Sequence, residues 1–377
     1  MKIIEIDPSN KHDDQLFLDL PFQIYRQTPQ WVPPLEMDAR RMLNRRSHPF
    51  YDHSQAAFFL AFNGEDRREV TGRLAVLDNR HYNEFNHERT AFFYLFECEN
   101  DPEAASGLFD SAVTWACKRG LKQLYGPKGF TALDGMGMLV KGFEHRPAMG
   151  IPYNLPYYPD LMEGAGFTTA GDTLSGYLNR STQFPEKVHL VSKAVQEKRG
   201  LTIARYSKRR DLQSLVPKLR NLYNASIEGT PGNSPLTDDE ALTMADQLLW
   251  FADPRLIKIV MKDDEPVGFL FAYPDISAAI QRTRGRLFPL GWADLLLELR
   301  RTNWININGA GMVEKYRGLG GTAILFSEMQ KSVMEGRYEH AEIVQIGADN
   351  ERMQNEMRNF GIDFYKTHRM YKKDIKS

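Results

Sequence analysis

The segment between residues 304 and 333 constrains the fold of this chain most strongly. It begins W-I-N-I-N-G-A-G-M-V, where Ile305 and Ile307 alternate with asparagines, and this period of two predicts a strand. Glycines then crowd residues 317–321, and from Thr322 onward apolar side chains recur at helical spacing. The segment therefore predicts a strand, a tight glycine-rich turn and the start of a helix in direct succession.

That order of elements favours the binding of an anion. The first amides of a helix have no intrahelical partners, and they point outward at the positive end of the helix dipole. Glycines let the backbone approach a ligand closely, and the Arg317 side chain adds a charge-assisted contact. We expect a cradle for a phosphate or pyrophosphate, the alternative being an ordinary helix start after a left-handed turn. Neither a Walker run nor a dinucleotide fingerprint fits this segment.

The run R-G-L-G-G-T at residues 317–322 resembles the [RQ]-x-x-G-x-[GA] signature of the GNAT acyltransferase superfamily. That signature lies between the fourth strand and the third helix of the superfamily's fold. Val313 and Tyr316 are also similar to residues that precede it there, whereas Thr322 departs from the usual Gly or Ala.

The sequence after this run is similar to the superfamily as well. A short apolar strand is predicted at residues 340–348, and Asn350 then caps a predicted helix that Gly361 ends. The superfamily shows N-x-x-A-x-x-x-Y-x-x-x-G-F here, and this chain has Met353 and Met357 in place of the Ala and Tyr. One or two closing strands are predicted to follow.

The resemblance implies an enzyme that transfers an acyl group, most simply acetyl, from coenzyme A to an amine of a small molecule or peptide. Acetyl-CoA or another acyl-CoA would be the co-substrate, and no metal is expected. We expect Gly320 to place its amide against the pyrophosphate, with no room there for a side chain. The residues implied to bind the cofactor are Met312, Val313, Arg317, Gly318, Gly320, Gly321, Thr322 and Asn350.

The catalytic residues are less clearly marked. Met357 occupies the superfamily's usual acid position and cannot donate a proton, so Tyr365, His368 and Tyr371 are the substitutes nearby in sequence. The strand at Trp304 carries no carboxylate that could act as a base, and Glu314 follows it too late. Two alternatives stay open: transfer of a long acyl or aminoacyl group from a larger carrier, and a non-catalytic protein that binds coenzyme A.

The first half of the chain repeats the predicted element order of the second half. We therefore expect an α/β (α+β) protein with two tandem GNAT-like acyl-CoA N-acyltransferase folds, each a mixed, mostly antiparallel sheet flanked by helices. The predicted boundaries are 1–180 for a degenerate domain, 181–200 for a linker helix and 201–377 for the acyl-CoA domain. The corresponding loop of the first half, at residues 97–103, has no glycine and several carboxylates, which would repel a pyrophosphate.

Composition excludes several classes of protein. Hydrophobic residues make up 42% and charged residues 26% of the 377 positions, which is ordinary soluble usage. The net charge of −1 gives no reason to expect a nucleic-acid or membrane partner. Two cysteines without metal or disulfide spacing, and a start without an apolar signal core, predict a reduced cytoplasmic setting.

Two stretches keep alternative interpretations. Residues 275–302 form a predicted insertion with three arginines before F-P-L-G-W, which is either a lid or acceptor-pocket wall, or a packing excursion. Residues 126–138 are rich in glycine and methionine, which is typical of either an adaptable apolar pocket or a surface loop.

Overall fold

The structure, a computed structural model, describes residues 1–64, 69–131, 134–182, 184–206, 208–228, 232–318 and 320–376. Its contacts divide the chain into two compact units. Unit 1 comprises Met1–Thr173, Ser277–Leu295 and Lys366–Ser377, and unit 2 comprises Leu174–Ile276 and Leu296–Tyr365.

The first half of the chain supplies seven strands and five helices in the described ranges. In chain order they are β1 (Lys2–Ile6), α1 (Lys11–Ile24), α2 (Glu36–Leu43), β2 (Gln55–Phe62), β3 (Val70–Asp78), α3 (Arg80–Asn86), β4 (Thr90–Cys98), α4 (Pro102–Cys117), β5 (Gln123–Gly126), β6 (Met138–Lys141), α5 (Tyr158–Gly164) and β7 (Thr168–Asn179). A 3-10 turn at Pro49–Asp52 precedes β2.

The second half, as far as it is described, supplies six strands and eight helices. They are α6 (Glu186–Arg199), β8 (Leu201–Ala204), α7 (Arg209–Gln213), α8 (Val216–Ser226), α9 (Asp238–Leu249), β9 (Ile257–Lys262), β10 (Glu265–Pro274), α10 (Ser277–Thr283), α11 (Gly291–Arg301), β11 (Trp304–Met312), α12 (Gly321–Glu335), β12 (His340–Gly347), α13 (Glu351–Asn359) and β13 (Asp363–Asp374). Two 3-10 turns lie at Pro254–Leu256 and Glu314–Tyr316.

Unit 1 is built on a sheet in the order β1-β2-β3-β4-β5, with the end of β13 beside β5. Neighbouring strands run antiparallel except β4 and β5, which are parallel. The helix α4 covers one face, where Leu108 and Phe109 pack on Val76 and Phe93. The other face packs against α1, whose Phe17 is fully buried.

Unit 2 repeats this plan. Its sheet runs β8-β9-β10-β11-β12, and the end of β7 lies beside β12. The pair β11–β12 is parallel and the other described pairs are antiparallel. On one face α12 packs Ile324 and Leu325 onto Ile305 and Ile307 of β11. The opposite face is covered at Phe269 by Leu222 of α8.

The residue ranges of the two units differ from the predicted domain boundaries of 1–180, 181–200 and 201–377. The strand β13 begins in unit 2 and finishes in unit 1, where Lys373 lies opposite Leu124 of β5. Likewise, β7 begins in unit 1 and finishes in unit 2, to which the predicted linker helix α6 also belongs. A division along the sequence missed this because strand pairing joins segments that are far apart in the chain.

Part of the predicted insertion, residues 277–295, belongs to unit 1. The Glu36 amide donates to the Gly285 carbonyl at 2.9 Å. The Gln281 side-chain amide donates to the carbonyls of Pro29 and Trp31, each at 2.8 Å. These contacts agree with the packing alternative for this stretch.

The glycine- and methionine-rich stretch at 126–138 is a packed segment of unit 1, so its interpretation as a surface loop was wrong. Phe130 and Met138 are buried in two different core clusters of the unit. The Asp134 carboxylate accepts a hydrogen bond from the Thr131 amide at 2.8 Å. Residues 132 and 133 lie outside the described part of the chain.

The assignment of the end of β13 to unit 1 can be tested with a substitution. Ile375 is buried in the core cluster of unit 1 and follows β13. We expect Ile375→Ala to cost about 2–5 kcal/mol of unfolding free energy in unit 1, because it leaves a cavity there. Amide exchange followed by mass spectrometry should show faster exchange in β5 and α4, with β11 and α12 protected as in the parent.

The exposed neighbour Lys372 provides the control, since Lys372→Ala keeps the backbone ladder and removes no buried atoms. Faster exchange in β11 or α12 on Ile375→Ala, with β5 unaffected, would contradict the assignment of the C-terminal strand to unit 1.

Candidate functional site

The glycine-rich turn and helix predicted from the sequence are both present in unit 2. Gly320 is the residue before α12 and has a left-handed backbone, with φ of +88°. The helix begins without a side-chain cap and without an acidic residue in its first turn. Among the described residues no side chain caps these first amides, and a helix start of this kind favours an anion.

The Arg317 side chain, predicted to contact an anion, is bonded to three backbone carbonyls in the structure. Its Nε donates to the Met312 carbonyl at 3.1 Å, and its Nη2 donates to the carbonyls of Ser226 and Glu228 at 2.6 and 3.1 Å. These bonds tie the turn to the end of β11 and to the end of α8. The guanidinium thus holds the loop in its conformation through these bonds. Its positive charge also favours an anion near the loop.

The crowding at Gly320 also has a different cause from the one expected. A Cβ there would meet Val195 Cγ2 at 2.7 Å and Val191 Cγ1 at 3.1 Å, both on α6. At Gly321 a Cβ would meet Met312 Cε at 2.5 Å. Branched side chains of α6 therefore leave no room for a Cβ at Gly320, whereas the contact at Gly321 is with the flexible end of Met312. A substitution at Gly320 would disturb the packing of α6 as well as any ligand.

The strand edge beside this turn is open. The described ladder between β11 and β12 runs from Trp304 to Ile307 and ends there, whereas β10 stays paired with β11 as far as Met312. The β10–β11 register shifts between Leu270 and Ala272, opposite the positive φ of +99° at Gly309. Beyond Ile307 the described ladder pairs β11 with β10 alone, so the backbone edge of residues 308–312 on the β12 side has no described strand partner.

A buried polar side chain lies near the end of the paired part of β11 and β12. Asn306 of β11 is fully buried, and among the described residues neither polar atom of its side chain has a hydrogen-bond partner. Its neighbour on β12 is Glu342, which is 2% exposed and points to the same face of the sheet. An unpaired buried amide costs free energy, so Asn306 is a candidate contact for a ligand.

Tyr365 joins this group, because its hydroxyl donates to the Glu342 carboxylate. Burial, followed by the charge of Glu342, raises the pKa of Tyr365 well above its ordinary value. Tyr365 therefore stays protonated and holds the carboxylate in place. Asp275, also buried, contributes a second carboxylate to the field around Tyr365.

The same face of the sheet carries more polar and aromatic side chains around this group. The Asn308 side-chain amide donates to the Tyr273 hydroxyl at 3.0 Å. At the other end of the row the rings of Trp304 and His340 stack at 4.6 Å, and His340 Nδ1 lies 2.8 Å from the Tyr177 hydroxyl. The row is therefore rigidly held around Asn306 and Glu342.

Sequence reasoning missed Glu342 because the strand at 340–348 was interpreted as apolar. Glu342 lies between Ala341 and Ile343, which pack under α12, so its own side chain must face the other way. A charged residue inside an otherwise apolar strand was the signal that could have identified it.

The other residues predicted to bind the cofactor differ in burial and in hydrogen bonding. Met312 is buried between Gly268 and Gly321, whereas Gly318 is exposed with φ of +72°. Val313 donates its amide to the Val267 carbonyl at 3.0 Å, and Thr322 lies in the first turn of α12. Leu319 lies outside the described residues.

Asn350 caps α13, as the sequence predicted, and its side chain accepts from the Met353 amide at 3.1 Å. That bond uses the side-chain oxygen within the protein. Met357, at the superfamily's acid position, is fully buried in the core of unit 2.

His368 is not brought to this site. It belongs to unit 1, whereas Tyr365 belongs to unit 2, and an odd spacing of three along β13 directs the two side chains to opposite faces. His368 Nε2 donates to the Pro152 carbonyl at 3.0 Å, and Nδ1 has no partner among the described residues. Burial lowers the pKa of His368 to about 4, so the ring is neutral at pH 7.

In unit 1 the corresponding helix is α4, and a side chain of the same unit caps its start. The Asp101 carboxylate accepts from the amides of Glu103 and Ala104 at 2.9 and 3.1 Å, in the first turn of α4. An anion therefore already occupies this helix terminus, and a phosphate would meet a carboxylate there.

Tyrosines occupy the corresponding strand end. The Tyr157 hydroxyl donates to the Cys98 carbonyl at 2.7 Å, and the Cys98 amide donates to the Tyr158 hydroxyl at 3.1 Å. Tyr158 and Tyr25 both donate to the Glu97 carboxylate, at 2.7 and 2.5 Å, and burial raises the pKa of Glu97. The backbone groups at the end of β4 thus have partners from their own unit.

Comparison with known proteins agrees with the tandem arrangement. A tandem GNAT protein from the clavulanic acid biosynthesis pathway superposes with a TM-score of 0.58 over 100% of this chain and 99% of that one, at 11% identity. Protein YghO of Escherichia coli (strain K12) is 26% identical over 97% of this chain and 94% of its own length. The bacterial ceramide synthase of Caulobacter vibrioides is 27% identical over 95% of this chain and 94% of its own length. No protein-family model matches the chain.

The lowered pKa of His368 predicts a pH dependence of stability. Unfolding returns the ring to a pKa near 6.5, so the unfolded chain binds a proton that the folded chain rejects as the pH falls from about 6.5 to about 4. The unfolding free energy of the parent should fall by about 3 kcal/mol more than that of His368→Gln across this range. Gln is the matched replacement because its amide can still donate to Pro152.

The measurement is urea unfolding of both proteins at a series of pH values. Parallel curves for parent and variant between pH 7 and pH 4 would show that the histidine is charged in the folded state, contrary to this account.

Proposed function

We propose that this chain, whose fold is that of two tandem GNAT domains, is an acyl-CoA-dependent N-acyltransferase with its donor site in unit 2. The observation that carries the proposal is the convergence of three features in one unit. These are the uncapped start of α12, the open edge of β11, and the buried Asn306–Glu342 pair where the two strands part.

Each feature suits one part of the donor. The pyrophosphate of coenzyme A would lie at the first amides of α12, where the helix dipole stabilises negative charge. The pantetheine arm would pair with the open backbone of residues 308–312, as a further strand would. The thioester would then reach the rungs where β11 and β12 separate, beside Asn306 and Glu342.

The transfer follows from these groups with atoms in balance. The amine nitrogen of the acceptor attacks the thioester carbonyl, a carbon–nitrogen bond forms, and the carbon–sulfur bond to coenzyme A breaks. The Glu342 carboxylate takes the proton that the amine loses, and the thiolate that leaves takes a proton from water. The Asn306 side-chain amide can donate to the carbonyl oxygen as negative charge develops on it.

Tyr365 acts through Glu342 in this scheme. Its hydroxyl orients the carboxylate and remains protonated because its pKa is raised. It is therefore a positioning residue, which differs from the acid that the sequence suggested.

The acceptor class is proposed from a relative. The ceramide synthase that is similar over almost the whole chain makes, by its name, an amide of a long-chain amino alcohol. A lipid amine and a long acyl-CoA are therefore the first substrates to test, ahead of the small-molecule or peptide amines expected from sequence. At 27% identity the substrates of that relative serve as a starting point for the assay.

A decisive variant is Glu342→Gln, which keeps the shape of the side chain and removes the base. We expect the turnover number to fall by about 10²–10⁴-fold, the usual contribution of a positioned base, while the affinity for coenzyme A stays near that of the parent. Thiol release with an acyl-CoA and an amine measures turnover, and calorimetry measures binding.

Glu339→Gln is the matched control, because Glu339 lies just before the same strand and is exposed. Turnover by Glu342→Gln at the rate of the parent would eliminate Glu342 as the base. Coenzyme A binding by the parent without turnover on any acyl-CoA would favour the non-catalytic alternative, and no binding at all would favour a larger carrier as donor.

A further inference from the structure

An exposed apolar group stands out on unit 1. Phe288 and Leu290 are the two most exposed large apolar side chains of the described residues, at 82% and 71% exposed. Trp292, two residues further along the chain, is 50% exposed. The Trp292 indole N–H donates to the Pro289 carbonyl at 3.1 Å, so this segment has a defined conformation. We call Phe288, Leu290 and Trp292 the apolar tip.

The interior of unit 1 does not explain this group. Large apolar side chains are stabilised by leaving water, and three that are exposed within five residues mark a surface that meets an apolar partner. Single exposed apolar residues elsewhere in the chain, such as Leu190 and Leu242, have no such neighbours in sequence.

Positive charge accompanies the apolar tip. Residues 277–295 contain three arginines and one acidic residue, a local excess of two positive charges in a chain whose net charge is −1. Arg284 lies over the Phe22 ring at 5.0 Å, and Arg286 reaches Glu36 at 3.5 Å in a pair that is mostly exposed. Exposed pairs of this kind are weak, so both arginines can turn to a stronger anionic partner.

We propose that the apolar tip, with Arg284 and Arg286, docks the chain onto an anionic phospholipid bilayer. Aromatic and aliphatic side chains enter the boundary between headgroups and acyl chains, and arginines extend to the phosphates around them. The Trp292 indole suits that boundary because one side of it is apolar and its N–H is polar.

The mode of attachment is peripheral. No described helix combines the length and the apolar character that crossing a membrane would need. The expectation of no membrane partner rested on the net charge of the whole chain, and it overlooked the local distribution of charge around the apolar tip.

This docking stands on the surface alone and does not rest on the proposed acyl transfer. The two proposals can therefore be tested apart.

The test is sedimentation of the full chain with vesicles. One set is phosphatidylcholine with about 30% phosphatidylglycerol, and the other is phosphatidylcholine alone. We expect binding to the anionic vesicles that weakens with added salt, and much weaker binding to the neutral ones.

Two double variants separate the apolar and charged contributions. Phe288→Ser with Leu290→Ser should weaken binding to anionic vesicles by at least about tenfold, because the inserted apolar area is lost. Arg284→Gln with Arg286→Gln should weaken it by about tenfold and should leave the weak binding to neutral vesicles unchanged. Leu190→Ser with Leu242→Ser is the matched control, since both leucines are more than half exposed and lie far from the apolar tip in sequence.

Three results would overturn the proposal. They are failure of the parent to sediment with anionic vesicles, unchanged sedimentation of the Phe288→Ser, Leu290→Ser variant, and conversion of a dimer to a monomer by that variant, which would make a second copy the partner. Acyl transfer to a water-soluble amine without vesicles should not change in the tip variant. Glu342→Gln should still bind vesicles, so failure of one proposal leaves the other intact.

Discussion

The site depends on one interruption in strand pairing, the end of the parallel β11–β12 ladder at Ile307. Backbone groups that lose a ladder partner must find another, so the following edge of β11 is available to an extended ligand. The start of α12 has no side-chain cap among the described residues, and Asn306 lies opposite Glu342 in the last paired part of the two strands. In our proposal this single change in pairing leaves room for the donor along β11, towards the start of α12.

The two units differ in how the backbone groups at this strand end and helix start find hydrogen-bond partners. Each has a parallel strand pair joined by a helix, and each has a register shift in the antiparallel pair beside it. In unit 1 the Asp101 carboxylate caps α4, and two tyrosine hydroxyls bond the end of β4. A side-chain cap of this kind is worth about 1 kcal/mol and needs no ligand. Unit 2 lacks the cap and leaves the equivalent groups to a cofactor, which makes it the functional member of the pair in our proposal.

Local features were predictable from the sequence, and long-range ones were not. The strand at Trp304, the glycine turn, the helix after Thr322 and the Asn350 cap depend on neighbours in the chain, and the structure contains all four. Pairing between distant segments of the chain determined the rest. It places the end of β13 in unit 1, together with His368, and it brings Tyr365 to Glu342 in unit 2. The role of Arg317 was also non-local, because two of its three carbonyl partners lie about ninety residues away in the chain.

The central claim is that unit 2 alone holds the donor, along the open edge of β11 and at the start of α12. A crystal structure of the chain with coenzyme A tests it most directly. The account predicts the pyrophosphate at the amides of residues 320–323 and the pantetheine arm beside residues 308–312, with Asp101 still capping α4. Coenzyme A bound at the start of α4 with Asp101 displaced, or bound away from both helix starts, would contradict it.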